Sequence, residues 1–114
     1  MQIPSASRNE YIRRIQIVQD HIDRHICDDL SLDLLANVSG FSKYHFHRIF
    51  SSLVGAPLQS YISRLRLEKA ASMVLKAGNL TITEIAFDIG FSDAAVFARA
   101  FKKQFGISAS ELRK

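Results

Sequence analysis

An all-α protein of about seven helices is what the sequence predicts, with two homeodomain-like helix-turn-helix subdomains joined by a long central helix. Three observations carry that expectation. Apolar residues recur at helical spacing and nowhere alternate as a half-buried strand would. Prolines occur only at positions 4 and 57, so no helix interior is interrupted. Two stretches repeat each other at a spacing of fifty residues, each with a glycine turn in the middle.

The first element, residues 9–26, places Ile12, Ile15, Val18, Ile22 and Ile26 on one helical face. The repeat follows. "LSLDLLANVSGFSKYHFHRIFSSLVGAP" and "LTITEIAFDIGFSDAAVFARAFKKQFGIS" agree at Leu30/Leu80, Ala36/Ala86, Gly40/Gly90, Phe41/Phe91 and Ser42/Ser92, all fifty apart. Past the turn the spacing becomes fifty-one, at Phe46/Phe97, Arg48/Arg99, Phe50/Phe101 and Gly55/Gly106. One residue is therefore inserted after the second glycine. Asp93 then takes the N-cap position that Ser42 holds in the first copy, and both phenylalanines fall four residues into their helices.

Each copy opens on a cap, Ser31 or Thr81, and "TITE" has the form of a capping box closed by Glu84. Leu32, Leu35 and Ala36 are matched by Ile82, Ile85 and Ala86 on one apolar face, and a left-handed glycine at Gly40 or Gly90 ends the short helix. The second helix carries Phe46, Phe50 and Leu53, or Phe97, Phe101 and Phe105. Two short helices around a tight turn make a helix-turn-helix unit, here spanning about residues 31–55 and 81–106. Between them, residues 57–77 begin at Pro57 and run through Leu58, Tyr61, Ile62, Leu65, Ala70 and Val74 to Gly78. "ASELRK" is expected to add a short closing helix, and residues 1–114 to form one domain.

At 114 residues and 47% apolar composition the chain is long enough for one compact domain. No run of about eighteen apolar residues is present, and "MQIPSASRNEY" lacks the basic-then-apolar layout of a secretory signal, so a cytoplasmic protein is expected, with no membrane partner. The net charge of +4 is unevenly placed. Residues 1–40 carry four basic and six acidic side chains and residues 41–114 eleven and five, which points to a polyanionic partner for the repeat.

No nucleophile with an attendant base, phosphate-binding glycine loop or paired-acid constellation is recognisable, so no enzyme and no cofactor are expected. Cys27 is the single cysteine and makes no internal disulfide. His45 and His47 diverge by roughly 200° around a helix and cannot share an ion. His21 and His25 have i, i+4 spacing without an evident third ligand, so no metal site is expected.

The faces turned away from the apolar stripes are more telling. Opposite Phe46, Phe50 and Leu53 lie Tyr44, His47, Arg48 and Ser51. The second copy gives Ala95, Ala98, Arg99 and Lys102, with Ala94 and Val96 near the helix start. A face of this width fits the major groove, where arginine bonds guanine bidentately and small apolar side chains touch thymine methyls. Solvated or ion-paired arginines, and a half-buried Tyr44, are the plainer alternatives. His45 is left between phosphate contact and packing.

An alanine, a "GFS" turn, Phe-x-Arg-x-Phe and a closing glycine, twice over, with "YISRLRLEKA" between, resemble the AraC/XylS family of bacterial transcription regulators over about residues 9–113. The resemblance implies a DNA-binding domain whose second helix in each unit enters the major groove. It would put Tyr44, His47 and Arg48 on bases in one half-site, with Lys43 or Ser51 near phosphates. In the other half-site it would put Ala94, Ala95, Val96, Ala98 and Arg99 on bases, with Lys102 and Lys103 on the backbone. The second helix lacks hydrogen-bonding side chains before Arg99, so its discrimination should be weaker or rest on methyl contacts. Ala109 and Leu112 stand where the family usually has a proline and a tyrosine, which leaves open how the closing helix docks.

A helix of about twenty residues is roughly 30 Å long, close to one duplex turn. The expected mode is therefore monomeric binding to double-stranded DNA over a promoter site of about twenty base pairs, with two successive major grooves occupied. Phosphate contacts are expected from Lys43, Arg64, Arg66, Lys102 and Lys103, of which the last four are equally compatible with plain solvation. The implied partner beyond DNA is RNA polymerase, the implied activity transcription activation, and the implied location the bacterial nucleoid. The pattern ends at "ELRK", where a longer regulator would continue into an effector-sensing domain. A helical module that docks another protein without reading DNA is the alternative.

Overall fold

The computed structural model describes residues 5–114, with side chains from residue 7 onward, and residues 1–4 of the expected domain lie outside the described residues. Seven α-helices follow in order: α1 (Ser5–Arg24), α2 (Leu32–Ser39), α3 (Lys43–Val54), α4 (Leu58–Lys76), α5 (Ile82–Asp88), α6 (Ala94–Phe105) and α7 (Ala109–Arg113). No strand occurs among the described residues. The chain divides into two compact units, the first made of residues up to His25 with Leu30–Tyr61, the second of Ile26–Asp29 with Ile62–Lys114.

The N-caps lie where the sequence puts them, whereas α5 ends on Ile89 in right-handed conformation, one residue before Gly90. Ser31 accepts from the Leu34 amide, Ser42 from His45, Thr81 from Glu84 within a full capping box, and Asp93 from both Ala95 and Val96. Gly40, Gly55, Gly90 and Gly106 all have positive φ. The inserted residue of the second copy is thus taken up in the turn, ahead of the Asp93 cap. Helix α1 starts four residues before the expected position, because Ser5–Arg8 favour helix well enough but carry no apolar periodicity to announce it.

The first unit packs α1, α2 and α3 against one another. Ile15, Val18, Ile22, Leu35, Ala36, Phe46, Ile49, Phe50, Leu58 and Tyr61 are buried there. The Phe46 and Phe50 rings lie 5.8 Å apart, and Tyr61 meets Phe50 edge-on at 5.3 Å. Ser39 is buried yet satisfied, its hydroxyl donating to the Ala36 carbonyl at 2.7 Å and accepting from the Phe41 amide at 3.0 Å. That pair of bonds leads the chain out of α2 into the turn.

The second unit gathers Leu67, Ala70 and Val74 of α4, Ile85, Ala86 and Ile89, Phe97 and Phe101 of α6, and Ala109 of α7 into one core. Leu67 was not expected inside, and Phe105 was. Phe105 is 37% exposed, because it sits at the last residue of α6 with its ring against Phe101 at 4.7 Å. Helix α4 buries Leu58 and Tyr61 in one unit and Leu67, Ala70 and Val74 in the other, so its buried residues make no single stripe.

The closing helix docks firmly. Ser108 and Glu111 form a capping box, Ala109 and Leu112 join the core, and Arg113 donates to the carbonyls of Val74 (3.1 Å), Ala77 (3.0 Å) and Leu80 (2.5 Å). A helix end leaves its last carbonyls without partners. One guanidinium fork supplies several donors to the end of α4 at once.

The repeat also extends further than the identities suggest. Ile15, Val18 and Ile22 of α1 correspond to Leu67, Ala70 and Val74 of α4 at a spacing of fifty-two, and all six are buried. Arg14 and Arg66 are related by the same spacing, and each lies over the glycine of its own turn. A Cβ built on Gly40 would sit 3.5 Å from the Arg14 guanidinium, and one on Gly90 only 2.9 Å from that of Arg66. Each unit is therefore a three-helix repeat whose first helix sends an arginine across the turn.

Gly90→Ala should lower stability more than Gly106→Ala. Both force an L residue to positive φ, at about 1–2 kcal/mol, but only Gly90 has a side chain against it. Urea denaturation of the two variants, repeated in an Arg66→Ala background, checks this. The excess cost at Gly90 should disappear once Arg66 is gone.

Candidate nucleic-acid interface

Helix α3 separates cleanly into two faces. Phe46, Ile49 and Phe50 point inward, while Tyr44, His47 and Arg48 are exposed and Ser51 is half-buried. Tyr44 is 86% exposed and is not the half-buried packing residue that its ring chemistry allowed. With Leu32, Lys43 and His47 it lines an open concavity of about 210 Å³ beside the start of α2.

Lys43 forms an ion pair with Asp33 at 3.0 Å, with both side chains largely in solvent. Such exposed pairs contribute about 0–1 kcal/mol, so an incoming phosphate can compete for the lysine. His45 turns the other way. Its ring is half-buried, 5.5 Å from Tyr11 and 5.0 Å from Phe41, and so packs against the turn.

Arg14 completes that aromatic group, with its guanidinium 5.0 Å from the centre of the Phe41 ring and a long 3.5 Å contact from Nη1 to the Gly40 carbonyl. Hydrogen bonds from Arg13 and Arg14 hold the Glu10 carboxyl down at about 2. Glu10 is therefore ionised throughout the neutral range and keeps Arg14 aimed at the turn.

Helix α6 has the same frame and different chemistry. Phe97 and Phe101 are buried, and Ala95, Val96, Ala98, Arg99, Lys102 and Lys103 are exposed, with Ala94 half-buried. At equivalent positions, fifty-one apart, Tyr44 becomes Ala95, His47 becomes Ala98, and Ser51 and Ser52 become Lys102 and Lys103. Only Arg48 and Arg99 coincide. The first face is rich in side chains that can hydrogen-bond a base edge, and the second in cations that can meet a phosphate.

The two arginines of α4 have separate fates. Arg64 is exposed, and its backbone carbonyl accepts from the Gln104 amide of α6 at 3.3 Å. Arg66, expected at a phosphate, is instead turned onto its own unit, where Nε donates to the Ile26 carbonyl at 2.9 Å and Nη2 to that of Asp28 at 2.8 Å. Burial pushes this guanidinium below the usual arginine value, against the opposing pull of Cys27 and Asp29. It acts as a clasp on the segment 26–29. The sequence signal that would have separated it from Arg64 is its register with Arg14.

The histidine rings at positions 21 and 25 stack at 4.4 Å, and no group of three or more His, Cys, Asp or Glu side chains among the described residues is arranged to hold a metal ion. None of the described helices is long and apolar enough to cross a membrane.

Comparison with known proteins gives a consistent picture. A family profile described as a helix-turn-helix domain matches residues 35–114. The HTH-type transcriptional activator AarP of Providencia stuartii is 40% identical over 92 residues, covering 81% of this chain and 67% of that protein. The regulatory protein SoxS of Escherichia coli strain K12 is 36% identical over 101 residues, covering 86% and 94%. Among solved structures, a transcriptional regulator of Chromobacterium violaceum described by its AraC-type DNA-binding domain superposes with a TM-score of 0.81 at 24% identity over 90% of both chains. The DNA-binding domain of AdpA, solved in complex with a target DNA, gives 0.81 at 22% identity over 88% of this chain and 89% of that one. At those identities the two structures speak for the fold.

Arg66 and Lys102 should separate in a salt titration of DNA binding. Lys102→Ala is expected to lower the slope of log affinity against log salt by about one. Arg66→Ala should leave the slope unchanged and appear instead as lost thermal stability.

Proposed function

The chain belongs to the AraC-type family of helix-turn-helix DNA-binding transcription regulators, and on that premise we propose that it binds as a monomer with α3 and α6 in successive major grooves of one duplex. The observation that carries this reading is the pair of outward stripes on α3 and α6. Each lies behind a capped turn and a buried phenylalanine face, and each keeps an arginine at the same place, Arg48 and Arg99. Recognition helices enter the major groove in this manner, and two of them in one chain replace the two subunits of a dimer.

Tyr44, His47 and Arg48 read bases in one half of the site. Ala94, Ala95, Val96, Ala98 and Arg99 face bases in the other. Lys43, Ser51, Arg64, Lys102 and Lys103 meet phosphates, and Arg66 is withdrawn from that set by its two carbonyl bonds. Helix α4 has 19 residues and so measures about 28 Å. One turn of B-DNA is about 34 Å, and where a site of about twenty base pairs is bent to engage both grooves the bend costs on the order of 1–6 kcal/mol.

The protein works without catalysis, at promoters in the bacterial nucleoid, and activates transcription through contact with RNA polymerase. The Providencia stuartii relative is a transcriptional activator, which supports that direction. A protein-docking module that ignores DNA is not favoured, since it would need neither matched arginine.

Titration of selected and random duplexes at two salt concentrations tests the proposal, with Arg48→Ala as the probe. Wild type should prefer the selected site and lose affinity steeply as salt rises. The variant should lose about 1–3 kcal/mol on the selected site and much less on random DNA. Equal losses on both would reduce Arg48 to a phosphate contact, and a footprint covering a single groove would end the two-groove mode.

A further inference from the structure

We propose that α6 selects its half of the site by apolar contact with the C5 methyl groups of thymine, through Val96, Ala95 and Ala98, while α3 selects by hydrogen bonds. The inference rests on the reading that α6 lies in a major groove, and adds what it recognises there.

Three features of this chain converge on it. Before Arg99, no exposed side chain within α6 can donate or accept a hydrogen bond: Ala95, Val96 and Ala98 occupy those places. The helix start is also closed to phosphate. Asp93 caps it, with one carboxylate oxygen accepting from the Ala95 amide at 2.7 Å and the Val96 amide at 3.1 Å. That takes two of the free N–H groups of the first turn and sets a negative charge where the helix dipole would otherwise draw an anion. The matching cap of α3 is the uncharged Ser42, followed by Lys43.

The third feature is Val96 itself. Its counterpart in α3 is His45, covered by the Tyr11 and Phe41 rings. In the second unit the residue fifty-two after Tyr11 is Ser63, which has no ring to offer, and Val96 stays 44% exposed. An apolar spot one helical turn long is left on the outward face, bordered by Arg99, Lys102 and Lys103. The only apolar group on a major-groove base edge in unmodified DNA is the thymine methyl, and alanine-sized side chains are suited to meet it. Arg99, Lys102 and Lys103 bring the duplex close, and the methyl contacts decide which sequence is held.

Uracil differs from thymine by that methyl alone. A duplex selected from random DNA by the intact chain is resynthesised with each thymine replaced in turn by uracil, and binding is measured for wild type, Val96→Ser and Ala98→Ser. Burial of one methylene-sized group corresponds to roughly a three- to five-fold change in affinity. At least one thymine should cost wild type that factor when its methyl is removed and cost Val96→Ser or Ala98→Ser little. The proposal is overturned if no replacement matters, or if each costs the variants as much as wild type, while the DNA-binding reading stands. Failure to enrich any duplex would instead remove that underlying reading.

Discussion

Both units depend on a backbone turn that must pass through left-handed φ, and on the arginine laid across it. Around Gly40 and Gly90 the chain leaves one short helix and enters the next after three and five residues. A side chain there would be strained by conformation alone, and at Gly90 it would also collide with a guanidinium already bound to two carbonyls. The turn fixes how the second helix leaves the first, and so which residues of α3 and α6 face outward. Arg14 does for the first turn, by stacking on Phe41, what Arg66 does for the second by clasping the segment 26–29. The means differ because the neighbours differ. The constraint is the same.

Much of this was legible in the sequence because local chemistry enforces it. Caps at Ser31, Ser42, Thr81 and Asp93 are specified by residues within three positions of one another, and positive φ by glycine. The apolar stripes of α2, α3, α5 and α6 needed only periodicity. What stayed hidden depends on contacts far along the chain. Arg66 resembles Arg64 until the carbonyls of Ile26 and Asp28, some forty residues away, come into view. Arg113 reads as a terminal charge until it is seen on Val74, Ala77 and Leu80.

The correspondence between the first helices of the two repeats was hidden for another reason. Ile15, Val18 and Ile22 share apolar character but no identity with Leu67, Ala70 and Val74, and the connection after α4 is two residues shorter than the one after α1. A core tolerates such exchanges, so burial preserves a pattern that letter-by-letter comparison loses. On the outward stripes the reverse holds. Tyr44, His45 and His47 give way to Ala95, Val96 and Ala98, and serines to lysines, with the inward phenylalanines intact. That contrast between frame and face was visible at once, although Arg48 alone, through its match with Arg99, marked the face as equivalent in both copies.

The inserted residue in the second turn has a wider meaning. An extra residue inside a helix rotates everything after it by about 100°, which would carry Phe97 and Phe101 out of the core and Arg99 away from its face. Placed before the Asp93 cap, the insertion stops at the cap and the helix restarts in phase. Turn and cap together therefore work as a phase reset between modules. Length can drift in the loop during divergence, while each outward helix remains a separately replaceable cassette on an unchanged chassis.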